Sequence, residues 1–145
     1  MTGSNEILHL LATTRVIAVV GLSPDPARAS QRVARYMQAQ GYRIVPVNPA
    51  AGEILGERCY PDLASIPHPV DMVDVFRRAD RVLPIAQQAI AIGARCLWLQ
   101  LGVVNDEAIR QAAAAGLAVV VDRCLMVEHA KHAAALASAP GHAAP

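Results

Sequence analysis

Gly21 and Ser23 form a short motif whose chemistry suits the binding of a phosphate group. The motif follows an apolar, β-branched run at residues 16–20 and precedes a helix expected from Ser30 to about Gln40. A glycine lets the backbone approach a ligand closely, a hydroxyl can bond to it, and a helix N-terminus supplies free N–H groups and positive potential. We expect a side chain at residue 21 to fill the place of the phosphate while leaving the fold intact.

Arginines follow this loop at helical spacing. Arg28, Arg32 and Arg35 are four and three residues apart, so they align on one face at the start of the expected helix. Guanidinium groups bind phosphates through paired hydrogen bonds. We predict that Arg28 and Arg32 contact a phosphate-bearing ligand and that Arg35 points away, the alternative being a solvated helix face.

The loop departs from two common nucleotide-binding motifs. Of the pattern G-x-G-x-x-G only Gly21 is present, and Asn48-Pro49 stands where NAD sites place an acid for the ribose diol. Both departures count against an ordinary NAD site. The sequence also lacks G-x-x-x-x-G-K-[ST], which excludes a P-loop nucleotide hydrolase.

A second group of reactive side chains lies near the start of the last expected helix. Cys124 is followed by Glu128 and His129, a set that could support nucleophilic chemistry. Such a cysteine is more often a small buried residue and such an acid a cap. We therefore predict no catalytic residue, and no Cys/His spacing resembles a metal site.

Apolar runs alternate with helical patterns along the chain. The expected strands are residues 16–20, 43–47, 71–76, 95–99 and 117–121, separated by helices. This alternation predicts one α/β domain at 1–145, with its core at about 5–132 and a frayed tail at 138–145. The fold class is a three-layer, Rossmann-like, doubly wound domain with a mostly parallel five-stranded sheet. We expect the strand order 3-2-1-4-5.

That order places a ligand site. Ligands in doubly wound sheets bind at the carboxyl ends of strands where the winding reverses, here between the first and fourth strands. The argument selects Gly21-Leu22-Ser23 and Gln100-Leu101-Gly102, with Asn48-Pro49 and Phe76-Arg77 beside them. Phe76 itself could be a core residue or a contact to a base, whereas Trp98 is expected in the core.

Composition limits the class of partner. With 13 basic and 12 acidic residues the net charge is only +1, so nucleic acid is a poor candidate. Three widely spaced cysteines are typical of reduced thiols in a cytoplasmic protein. The amino terminus has no secretory pattern, and the apolar stretch around residues 112–121 is too short to span a membrane.

Seven motifs together resemble the small CoA-binding proteins, a family similar to the amino-terminal CoA-binding domain of the succinyl-CoA synthetase α subunit. The resemblance covers roughly residues 5–132 in order and without large gaps. The motifs are residues 19–23, 32–36, 41–49, 54–57, 71–78, 98–103 and 122–129.

The resemblance implies that coenzyme A or an acyl-CoA lies along the crevice. It places the phosphates near the first loop and the arginines, the nucleotide near the exits of strands two and three, and pantetheine near the exit of strand four. The residues expected to bind are Gly21, Leu22, Ser23, Arg28, Arg32, Asn48, Pro49, Phe76, Arg77, Gln100 and Gly102.

The sequence leaves three functional hypotheses. The synthetases carry their phosphorylated histidine on a further domain, so ligase chemistry is not expected here. We predict a non-catalytic binding or accessory protein. The alternatives are a small NAD(P)- or CoA-dependent enzyme and an interaction scaffold that has lost its ligand, and the chain could act as a homodimer or with a partner subunit.

Overall fold

Five parallel strands form the central sheet of the protein, as seen in a computed structural model that describes residues 2–138. The order across this sheet is β2-β1-β5-β6-β7, and a separate two-stranded hairpin is formed by β3 and β4. The strands are β1 (Val16–Val20), β2 (Arg43–Val47), β3 (Glu53–Ile54), β4 (Glu57–Arg58), β5 (Met72–Val75), β6 (Cys96–Leu99) and β7 (Ala118–Val121).

Five α-helices and two short 3₁₀ helices, Leu63–Ser65 and Ala79–Arg81, complete the described chain. Residues from α1, α2 and α5 pack on one face of the sheet, whereas those from α3 and α4 pack on the other. No helix within residues 2–138 is long and apolar enough to cross a membrane. The helices are α1 (Ser4–Thr13), α2 (Ala29–Ala39), α3 (Val82–Ala91), α4 (Asp106–Ala114) and α5 (Leu125–Ala137).

The three-layer α/β class is confirmed, but the predicted strand order is wrong. Counted as the five predicted strands, the observed order is 2-1-3-4-5, so the third strand lies beside the first. Pro46 gives the physical reason, because a residue without an N–H disfavours an interior position in a sheet. β2 therefore occupies the edge, and β5, buried along its whole length, occupies the centre.

Alternating side chains of the strands supply two apolar cores, one on each side of the sheet. Trp98 of β6 is fully buried, as predicted, and its indole N–H donates to the Arg123 carbonyl over 2.8 Å. The sheet is entirely parallel in the described chain, consistent with strands that are apolar on both faces. The predicted fraying beyond Ser138 lies outside the described residues.

Candidate functional site

A cleft of about 670 Å³ opens at the carboxyl ends of β1, β2 and β5. The connections from β1 to β2 and from β2 to β5 leave in opposite directions, so this is where the winding reverses. The structure brings most of the predicted binding residues into the lining of this cleft. Those residues are Gly21, Ser23, Arg28, Asn48, Pro49, Phe76 and Arg77.

Gly21 joins the exits of three strands. Its N–H donates to the carbonyl of Val47 over 3.0 Å, and its φ of +87° belongs to the left-handed region. A Cβ atom on residue 21 would lie 2.4 Å from the carbonyl oxygen of Phe76. The glycine is therefore favoured by a backbone contact within the protein, so a side chain there should strain the fold as well as change the cleft.

The loop after Gly21 is fastened from α2. The N–H of Ser23 donates to the hydroxyl of Ser30 over 3.0 Å, and the amide of Gln31 donates to the carbonyl of Pro24 over 2.9 Å. The Ser23 hydroxyl in turn accepts from the N–H of Asp25 over 3.0 Å. Ser30 and Gln31 are both buried. The helix was expected to start at Ser30, whereas α2 begins at Ala29 with Arg28 as its N-cap residue, and the role of Gln31 was not predicted.

Asn48 connects the β2 exit to the same loop. Its amide donates to the carbonyl of Leu22 over 3.0 Å, and its side-chain oxygen accepts from the N–H of Ala50 over 2.8 Å. Leu22 does not line the cleft, because its side chain is fully buried in the core between the sheet and α2. Asn48 thus positions the cleft wall through both ends of its amide.

Three arginines give the cleft its positive charge. Arg28 lies at the start of α2, Arg77 follows β5, and Arg81 ends the 3₁₀ helix before α3. Within residues 2–138 none of these three guanidiniums pairs with a carboxylate. Arg78, Arg95, Arg110 and Arg123 form salt bridges with carboxylates, and none of these four lines the cleft.

Arg32 is not brought into the cleft. It is exposed on the outer side of α2, and its guanidinium donates to the carbonyl of Ala27 over 2.7 Å. Arg35 donates to the side chain of Gln31 over 2.8 Å. Of the arginines aligned at the start of the helix, only Arg28 lines the cleft.

Gln100 and Gly102 lie at the exit of β6 and do not line the cleft. Because β5 stands between β1 and β6, their loop is one strand removed from Gly21. The buried Gln100 accepts from the N–H of Leu125 over 3.1 Å, and the N–H of Gly102 donates to Asp122 over 2.7 Å. Both residues tie the β6 exit to the segment before α5.

The wall opposite α2 comes from segments that sequence reasoning did not connect with the site. Asp62 caps the 3₁₀ helix by accepting from the N–H of Ser65 over 2.9 Å and from its hydroxyl over 2.7 Å. Gln88 of α3 accepts from the N–H of Leu63 over 3.2 Å. Residues 50–69 have no clear periodicity, and the predicted strand order put the third strand, which precedes α3, away from the first, so neither segment was expected at the cleft. The missed lining residues are Pro61, Asp62, Leu63, Arg81, Pro84, Ile85 and Gln88.

The side chains around Cys124 have partners that hold the structure together. The Tyr36 hydroxyl and Nδ1 of His129 share a hydrogen bond of 2.9 Å, and Glu128 pairs with Lys131 at 3.0 Å. Cys124 itself is the N-cap residue of α5 and is only partly buried. Across residues 2–138 there is no group of three His, Cys, Asp or Glu side chains that could hold a metal ion.

Asp74 is the most isolated carboxyl group of the described chain. It stands in the middle of β5, opposite Val19 and Trp98 in the register of the sheet, and is fully buried. Neither of its oxygens has a hydrogen-bond partner among residues 2–138. Burial raises the pKa of Asp74 well above its usual value, and burial also raises the pKa of the nearby Cys96 thiol to about 12.

The chain is similar in sequence and in structure to several known proteins. The sequence model of a family described as "CoA binding domain" matches residues 15–130. The Bacillus subtilis (strain 168) protein YneT is 41% identical over 125 residues, covering 86% of this chain and 93% of that protein. A structure of a hypothetical protein from Pyrococcus horikoshii OT3 superposes with a TM-score of 0.88 at 38% identity, covering 90% of this chain and 92% of that one.

A larger enzyme shares the same fold over part of its length. The dinucleotide-forming acetyl-coenzyme A synthetase 1 of Ca. Korarchaeum cryptofilum superposes with a TM-score of 0.67 at 27% identity. The match covers 77% of this chain and 26% of the synthetase. The chain therefore corresponds to about a quarter of that enzyme.

Proposed function

We propose, since this chain belongs to the CoA-binding domain family, that it binds coenzyme A or an acyl-CoA in the cleft at the ends of β1, β2 and β5. The homology to the CoA-binding domain of acetyl-CoA synthetases confirms the family predicted from the sequence. That this chain itself binds coenzyme A, and which residues hold it, is our proposal.

The observation that carries the proposal is the set of guanidiniums without acid partners. Arg28, Arg77 and Arg81 surround the cleft, and Asp62 is the only carboxylate in its described lining. Unpaired cations that share a concave site attract an anion with several charges. Coenzyme A carries a diphosphate and a separate 3′-phosphate, which suits cations spread over three segments. The first turn of α2, where Arg28 offers no side-chain cap, adds N–H donors.

The end of β2 supports CoA over NAD. A dinucleotide site of the NAD type needs an acid there to accept from the ribose hydroxyls. Asn48 occupies the position, and both ends of its amide are bonded to backbone groups. A carboxylate in its place would face the carbonyl oxygen of Leu22, so the local structure selects an amide.

We propose that the protein binds its ligand without catalysing a reaction on it. The described lining contains no His, Cys or Lys, the hydroxyls of Ser23 and Ser30 accept from backbone N–H groups, and one oxygen of Asp62 caps a 3₁₀ helix. An enzyme acting on the thioester would need a nucleophile or a general base within reach of the ligand. The chemistry of the lining instead favours a protein that holds its ligand.

Isothermal titration of the protein with CoA, dephospho-CoA and NAD tests the proposal. We expect saturable CoA binding that is at least about tenfold tighter than NAD binding, a free-energy difference of about 1.4 kcal/mol. The Arg77→Gln variant should weaken CoA binding, whereas Arg32→Gln, on the outer side of α2 and away from the cleft, serves as the matched control. Absence of CoA binding, or tighter binding of NAD, would contradict the proposal.

The cytoplasmic location and the oligomeric state remain predictions. Cys59, Cys96 and Cys124 are free thiols in the structure, which supports a reducing compartment. Self-association or a partner subunit would be measured by light scattering of the purified chain with and without CoA.

A further inference from the structure

We infer that Gln31 is a positioning residue that makes the loop after β1 selective for anions. Gln31 lies behind the loop and outside the lining of the cleft, and it acts by holding the carbonyl groups of Ser23 and Pro24 away from the ligand. The inference rests on the proposed function, because it concerns the phosphate groups of the same ligand, but it assigns a role to a residue that the ligand does not contact.

The amide of Gln31 is bonded at both ends. Its NH₂ group donates to the carbonyl of Pro24 over 2.9 Å and to the carbonyl of Ser23 over 3.3 Å. Its oxygen accepts from the guanidinium of Arg35 over 2.8 Å. A guanidinium donates but never accepts, so Arg35 fixes the amide with its NH₂ toward the loop. Gln31 is buried whereas Arg35 is exposed, so the arginine anchors the amide from the outer side of α2.

The carbonyls of Ser23 and Pro24 consequently point into the protein. Both residues line the cleft, but the side chain that their oxygens contact is buried and outside the lining. A backbone carbonyl carries a fixed partial negative charge at its oxygen, and an oxygen directed into the cleft would repel a phosphate. The bonds from Gln31 thus remove two acceptors from the surface that an anion meets.

The serines of this wall complete a surface of donors. The hydroxyl oxygen of Ser30 accepts from the N–H of Ser23, and the hydroxyl oxygen of Ser23 accepts from the N–H of Asp25. Neither hydroxyl donates to an acceptor among residues 2–138, so both protons are left for a ligand. Ala29, in the first turn of α2, also lines the cleft, and the N–H groups of a first turn have no partner within their helix.

Gln31→Met tests the inference, because methionine has a similar length but no N–H to hold the two carbonyls. Titration with ADP and with adenosine isolates the contribution of the phosphates, since the two differ only in the diphosphate. We expect Gln31→Met to lose about tenfold in affinity for ADP and less than about twofold for adenosine. NMR-detected titration measures both affinities on protein that chemical denaturation shows to be folded. An unchanged affinity for ADP, or an equal loss for adenosine, would overturn the inference.

Arg35→Gln is a second variant at an exposed residue, where the fold is not at risk. It leaves Gln31 in place but frees the amide to turn, so we expect about a fivefold loss in affinity for ADP and none for adenosine. Arg32→Gln removes the same charge from the same helix without contacting Gln31, and should change the affinity for ADP by less than about twofold. Equal losses in these two variants would also overturn the inference.

Failure of the inference can be told apart from failure of the proposed function. A chain that binds CoA, and binds ADP equally well with and without Gln31, refutes only the role of Gln31. A chain that binds ADP through Gln31 but does not bind CoA refutes only the proposed function. Binding of neither ligand by the wild type refutes both.

Discussion

Gly21 and Phe76 are in backbone contact across the exits of β1 and β5, so close that a Cβ atom on residue 21 would lie 2.4 Å from the Phe76 carbonyl oxygen. This contact exists because the two strands are neighbours, with Val20 paired to Val75 in the register. It brings Gly21 and Phe76 together in the lining of the cleft and places Arg77 beside Gly21. The same glycine is thus needed for the fold before any ligand is considered.

Substitution of Gly21 by alanine should destabilise the protein more than the same change at Gly102. Both glycines have positive φ, at +87° and +78°, but a Cβ on Gly102 would meet nothing within 4 Å. Gly102→Ala should therefore cost only the left-handed conformation, about 1–2 kcal/mol. Gly21→Ala should cost about 1–3 kcal/mol more, because the Phe76 backbone must shift. Chemical denaturation measures both, and equal losses would refute the contact.

Removal of one cleft arginine should weaken the binding of CoA without unfolding the protein. Arg77→Gln and Arg81→Gln each delete a guanidinium that has no acid partner in the described chain, so no carboxylate is left unpaired. A hydrogen bond to a charged group contributes about 1.5–3 kcal/mol, so each variant should lose about tenfold or more in affinity. Arg32→Gln should stay within about twofold. Calorimetric titration measures these affinities, and an equal loss in Arg32→Gln and Arg77→Gln would contradict the prediction.

Asp74 should make the protein less stable as the pH rises. Because burial raises its pKa in the folded state above the usual 3.8, the folded protein binds a proton that the unfolded chain releases. The free energy of unfolding should then fall by up to about 1.4 kcal/mol per pH unit between the two pKa values. Asp74→Asn removes this dependence, so the stability of the variant relative to the wild type should increase as the pH is raised above about 4. Parallel stability curves against pH would contradict the prediction.

Asp71, three residues before Asp74, should have the opposite effect, because its contribution to stability should increase as the pH rises. Burial alone would raise its pKa, but hydrogen bonds from the N–H groups of Val16 and Arg15 and the nearby Arg95 lower it. Its contribution is present above the unfolded pKa of about 3.8 and is lost as the pH falls through the lower folded value. Asp71→Asn should cost about 1.5–3 kcal/mol at pH 7 and little at pH 2. Thermal unfolding at both values measures this, and an equal cost at both would refute it.

The strands and helices followed from short-range patterns in the sequence. β1 and β2 occupy the predicted residues 16–20 and 43–47, and α2 (Ala29–Ala39) lies within one residue of the predicted span from Ser30 to about Gln40. Apolar β-branched runs bury both faces of a parallel strand, and a glycine with positive φ follows the ends of α2, α3 and α4, so these boundaries are decided by neighbouring residues. The hairpin of β3 and β4 was missed because two-residue strands leave no measurable alternation.

By itself the sequence therefore determined the α/β class and the family, and it predicted that the loop from Gly21 to Arg28 belongs to a binding site. Only the tertiary structure decided which strand stands beside the first. With β5 in that place, Gln100 and Gly102 are moved away and Asp62, Arg81 and Gln88 are brought in. The physical reason is that the hydrophobic pattern of a strand indicates how deeply the strand is buried. Which strand lies beside it depends on the crossover connections and on which strands occupy the sheet edges, and these involve residues far apart in the chain.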